Sequence, residues 1–185
     1  MSHVQRFDHV GITVADLDTA TAFFVGLGLE IEGTRMFVEG EFLDTVIGIP
    51  DSRTEIVMLR PPDGSTRLEL SSFVRPDHQP GSPAAMANEL GLRNVAFDID
   101  DLQTAVDRLA EGGYGLVGDI SQYEHIWRMA NVRGPEGIIV SRRYLGESLT
   151  LPAECGRSKV PQSRLGPMAA CATSTALASA LRAKS

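Results

Sequence analysis

Few side chains here can move a proton or hold a metal. Four histidines, His3, His9, His78 and His125, are scattered along the chain, and an imidazole is both a near-neutral acid or base and a metal ligand. His9 sits in Phe7-Asp8-His9-Val10-Gly11-Ile12-Thr13-Val14, where Val10, Ile12 and Val14 alternate with small or polar residues as in a half-buried strand. The imidazole then faces away from the apolar side, together with Gly11 and Thr13. Glu69 lies between Leu68 and Leu70, so its carboxylate also points away from apolar neighbours. Arg67, two residues away, shares that face and either recognises an anionic group or neutralises Glu69.

Other candidates are weaker. His125 adjoins Glu124, and on an extended chain only one of the two faces a given side. His78 lies among Asp77, Gln79 and Pro80, and His3 lies near the start; neither placement predicts an inward position. The acidic run Asp98–Asp101 reads as a strand end and helix cap. Trp127, Tyr123, Phe37 and Phe42 are candidates to line an apolar pocket, although aromatics on strands more often pack in a core. Trp127 and Arg128 face opposite sides of their strand. The chain shows no glycine-rich phosphate loop, serine or cysteine nucleophile motif, or CxxC pair.

The framework that positions these groups is a repeat. Shifting the chain by 85 residues carries Val10, Asp16, Leu17, Thr19 and Ala20 onto Val95, Asp101, Leu102, Thr104 and Ala105, and Gly28 onto Gly113. Val95, Phe97 and Ile99 repeat the strand alternation. Asp16 and Asp101 then serve as helix N-caps, with Gly28 and Gly113 as stops. Extended runs follow at 35–38, 54–60 and 66–73 in the first copy and at 115–120, 125–132 and 137–144 in the second. Each copy reads strand–helix–strand–strand–strand. The segment 34–53 gives no clear element, and Ser82-Pro83 predicts a short helix ending at Gly91.

The chain has 185 residues, 43% of them hydrophobic and 22% charged, with a formal charge of −7. Length and composition fit a globular protein with a sizeable core, and no run approaches the roughly 20 apolar residues of a membrane span. Residues 1–145 hold 12 basic and 22 acidic side chains, which disfavours nucleic acid or an anionic membrane as partner. The start lacks the basic stretch and apolar run of a secretory signal, so the cytoplasm is the expected location. All 11 aromatics precede residue 146, and both cysteines, Cys155 and Cys171, follow it, so no disulfide supports the body. The divisions are a first module at 5–75, a linker with a short helix at 76–91, a second module at 92–145 and a tail at 146–185. The tail reads as a linker followed by a marginal helix at 168–183.

The duplicated βαβββ pattern, with FDHVGITVADLDTATAFF, DGSTRLEL, LRNVAFDIDDLQTAVDRL and GPEGIIV, resembles the vicinal oxygen chelate superfamily of glyoxalases, bleomycin resistance proteins and extradiol dioxygenases. The resemblance implies an α+β fold in which two curved mixed sheets form a cup-shaped ligand cavity. It also implies metal-ligand positions on the first and last strands of each copy: His9 and Glu69, then Asn94 and Ser141. Asn94 and Ser141 are neutral oxygen donors, poor ligands for zinc, nickel or iron. The expectation is a small-molecule-binding protein that works without a metal, with His9 and Glu69 as candidate catalytic residues and Arg67, Asn94, Trp127 and Ser141 as candidate ligand-binding residues. A His9–Glu69 pair of this kind would hold the imidazole in one tautomer or move a proton. The rival is a lyase or isomerase holding a weakly bound divalent metal ion at His9 and Glu69. The resemblance further implies a cup closed within one chain or across a homodimer.

Overall fold

The computed structural model describes residues 3–123 and 127–145, with backbone alone for 142–145. In the first half, β1 (His9–Thr13), α1 (Leu17–Gly26), β2 (Glu30–Glu39), α2 (Glu41–Ile47), β3 (Arg53–Arg60) and β4 (Arg67–Arg75) follow in turn. In the second come β5 (Asn94–Asp98), α3 (Leu102–Glu111), β6 (Ser121–Tyr123), β7 (Trp127–Arg133) and β8 (Ile139–Leu145). The sheets have the same plan, β1-β4-β3-β2 and β5-β8-β7-β6, with only the first pair of each parallel. That equivalence is the structural form of the 85-residue repeat.

The helix starts are the predicted ones. Asp16 accepts the Thr19 amide at 2.9 Å and Asp101 the Thr104 amide at 3.1 Å. The threonine hydroxyls donate to the second carboxylate oxygens at 2.6 and 2.7 Å. These bonds satisfy amides that a first helical turn leaves unpaired.

Leu59, Leu68 and Leu70 of the first sheet, Phe24 of α1, Leu102 of α3, and Val132 and Val140 of the second sheet belong to one buried cluster. Phe23 of α1 ties the halves together. Its ring meets Tyr114 edge-on, centres 4.7 Å apart, a geometry that adds about 0.5–1.5 kcal/mol beyond burial. Gly134 rests on the same ring, where a Cβ would stand 2.6 Å from the Phe23 Cζ. Burying the helical sides of both sheets leaves their other faces open.

Several expectations need correction. The two sheets are open and do not curl into a closed cup. The unassigned stretch 34–53 contains most of β2 and all of α2. β2 is an edge strand exposed at nearly every position, and α2 buries only Leu43 while Phe42 and Val46 stay exposed, so neither carries a readable apolar period. The helix expected from Ser82 to Gly91 is instead two turns, closed by Ala85 N–H to Ser82 O and Glu89 N–H to Met86 O. Arg133 donates to the Pro83 and Ala85 carbonyls, both at 2.9 Å, engaging oxygens that a helix would use internally. The run expected at 115–120 pairs with β7 only through the Leu116–Val132 bridge, and the regular strand starts at Ser121. The expected tail helix, with Cys155 and Cys171, lies outside the described residues, as do Glu124 and His125.

Candidate functional site

Strand alternation sorts the open face of the first sheet. His9, Gly11 and Thr13 are exposed, while Val10 and Ile12 pack towards the core. On the adjoining strand Leu68 and Leu70 are buried and Glu69 is half-buried on the other side. Parallel pairing sets Gly11 against Glu69 and His9 against Arg67. The His9 Nε2 and Glu69 Oε2 atoms approach to 3.8 Å. The structure brings these two candidate residues near one another, at a distance too long for a hydrogen bond.

The hydrogen-bond partner of the ring is Asp8, which the sequence reading passed over. Its Oδ2 lies 2.9 Å from His9 Nδ1, and its Oδ1 accepts from Arg67 and Arg6, each at 2.8 Å. Asp8 precedes the first residue of β1, so strand alternation does not force it to the face opposite His9. The His9 hydrogen bond, followed by the charge of Arg67, holds the Asp8 carboxyl below its ordinary pKa. Arg67 also bonds Glu32 at 3.2 Å, and Glu32 and Asp8 together keep the guanidinium more firmly protonated. Arg67 thus neutralises Asp8 and Glu32, not Glu69. A cleft of about 490 Å³ opens beside this cluster, lined by Arg6, Asp8, Glu32, Arg60, Ser65 and Arg67 among others.

The second sheet has a different surface. Asn94 Nδ2 donates to Ser141 Oγ at 2.6 Å, and Ser141 Oγ donates to Asn131 Oδ1 at 2.6 Å. Ser141 is 4% exposed, so its hydroxyl is enclosed by these two amides. Pairing places Ser141 between Ala96 and Asn131. Trp127 lies farther along β7, opposite Tyr123, with ring centres 6.4 Å apart. Asn131 escaped the sequence reading: alternation on β7 sets it opposite the buried Ala130 and Val132 but does not name its partner. Among the other aromatics, Phe42 is 75% exposed, and the exposed Phe37 carries the Arg53 guanidinium over its ring at 4.5 Å. His78 accepts the Phe73 amide at Nε2 at 3.1 Å, tying the linker to β4.

The donor chemistry can be tested against a resident metal. A catalytic transition ion usually takes three protein ligands. His9 and Glu69 converge, but Asp8 is committed to the other ring nitrogen and two arginines, and Asn94 and Ser141 hold each other. Among the described residues, no group of three or more His, Cys, Asp or Glu side chains is arranged to hold a metal ion. This set does not fit a resident transition ion.

The chain belongs to the glyoxalase/bleomycin resistance protein/dioxygenase superfamily, whose family model matches residues 8–130. It is similar to a glyoxalase family protein from Bacillus cereus, with 39% identity, a TM-score of 0.75, and coverage of 78% of this chain and 96% of that one. A glyoxalase/bleomycin resistance protein/dioxygenase domain from Frankia is 18% identical with a TM-score of 0.53, over 80% of this chain and 96% of that one. A glyoxalase I mutant from Zea mays is 16% identical with a TM-score of 0.54, over 75% of this chain and 44% of that one. The last two likenesses concern the fold. No curated protein matches the sequence. Among the described residues, no helix is long and apolar enough to cross a membrane.

Proposed function

We propose that this chain is a small-molecule-binding member of its superfamily that works without a resident metal ion. The observation that carries this reading is the bond between Asn94 and Ser141. Positions that the family resemblance marks for metal ligands are occupied here by an amide and a hydroxyl satisfying one another. The open faces offer complementary recognition chemistry. One presents His9, Glu69 and Arg67, and the other presents Asn94, Asn131 and Trp127. Neutral amides, with the Tyr123–Trp127 pair farther along the same sheet, suit a ligand with hydrogen-bonding groups on an apolar frame.

A second reading rests on the 3.8 Å approach of His9 to Glu69. In it, a lyase or isomerase recruits a weakly held divalent ion to that pair, and the ion polarises a substrate carbonyl.

One experiment separates them: metal analysis of the purified protein, then melting temperature with magnesium, manganese, nickel and zinc. The binding reading expects no ion-dependent shift. A rise with one ion, lost in both His9→Ala and Glu69→Ala, supports the metal-dependent enzyme instead.

A further inference from the structure

We propose that Asp8 is a positioning residue that commits the His9 ring to the tautomer with its proton on Nδ1, leaving the Nε2 lone pair facing Glu69. Three contacts carry this. The Asp8 carboxylate can only accept, and it lies 2.9 Å from Nδ1, so the neutral ring meets it by donating from that nitrogen. The carboxylate is itself held. Arg67 and Arg6 both bond its Oδ1, leaving Oδ2 for the ring. Arg67 is in turn anchored by Glu32, so the chain Glu32–Arg67–Asp8–His9 links β2, β4 and β1. The third contact is what the ring does not make. Nε2 lies 3.8 Å from Glu69 Oε2, too far for a hydrogen bond that would draw the proton to that side.

A ring set in this way accepts rather than donates at Nε2. With the Glu69 carboxylate beside it, the open face offers two acceptors to whatever occupies it. The group that fits there is a hydrogen-bond donor such as a hydroxyl or ammonium. This deepens the site proposed above, but the tautomer itself does not depend on ligand binding.

The test is the nitrogen-15 spectrum of the His9 ring in the full chain with labelled histidine. It is recorded at about pH 8.5, above the ordinary imidazole pKa of about 6.5, with His9→Gln assigning the signals. The wild-type ring is expected to show a protonated Nδ1 and an unprotonated Nε2. In Asp8→Ala the ring is expected to become a mixture in which Nε2–H rises severalfold. A wild-type ring protonated at Nε2 overturns the inference, as does an Asp8→Ala spectrum identical to wild type. Asp8 is exposed and outside the core, and the wild-type spectrum decides the matter even if the variant does not fold. A protein that binds no small molecule yet keeps the Nδ1–H ring loses the functional reading and retains this one.

Discussion

Asn94 on β5 and Ser141 on β8 are 47 residues apart in sequence and joined by a 2.6 Å hydrogen bond, and Asn131 closes the chain on the other side of the hydroxyl. Removing the hydroxyl takes away the partner shared by the exposed Asn94 amide and the half-buried Asn131 amide, both within reach of water. Ser141→Ala is expected to cost about 0.5–1.5 kcal/mol in denaturant unfolding. An unchanged midpoint would show that water replaces the hydroxyl without loss.

The contact between Phe23 and Gly134 predicts an asymmetric pair of effects. Phe23→Ala empties the joint between the halves and is expected to cost about 3–5 kcal/mol. Gly134→Ala forces a methyl group against the ring and is expected to cost about 1–3 kcal/mol. Because the new methyl enters the space the ring leaves, the double variant should be less destabilised than the sum of the two. Strict additivity in a double-mutant cycle would contradict the contact.

Gly137 has φ +77°, and a Cβ there would stand 2.1 Å from the Pro83 carbonyl oxygen. Gly137→Ala therefore has to displace the turn at 82–85, and with it the Arg133 bonds to Pro83 and Ala85. Limited proteolysis should cut the variant faster between 80 and 91 than it cuts the wild type. Equal cutting rates would mean that the turn is held by something else.

Acid should weaken the fold through its capping carboxylates. Bonds from Thr19 and Thr104 hold Asp16 and Asp101 below the ordinary value of 3.8. A carboxyl depressed in the folded state contributes its full stability above the unfolded pKa and loses it as pH falls through the folded one. Melting temperature should therefore decline below about pH 4. The Asp16→Asn, Asp101→Asn double variant keeps the cap shape and should show a shallower acid decline. A decline as steep as that of the wild type would assign the effect to other groups.

The divalent-ion series carries its own prediction for the candidate site. Glu69→Gln removes the charge facing His9 but no bond to Asp8, so the His9 tautomer should survive while any weak ion-dependent stabilisation disappears. Melting temperature with manganese, beside the His9 nitrogen spectrum, checks both at once.

The amino-acid sequence by itself determined what depends on short range: the alternation that turns His9 and Glu69 away from the core, the two aspartate caps, and the repeat that makes both sheets alike. Periodicity and capping act over a few residues, so they can be read along the chain. It also showed that Asn94 and Ser141 are poor metal ligands, because donor chemistry belongs to residue type. Only the tertiary structure decided partners. Asp8 meets Arg67 across 59 residues, Asn131 meets Ser141 across a strand pair, and Arg133 takes the carbonyls that would have made a helix of 82–91. Such choices follow from how strands register and which polar groups remain unsatisfied after the core closes. No local pattern encodes that outcome.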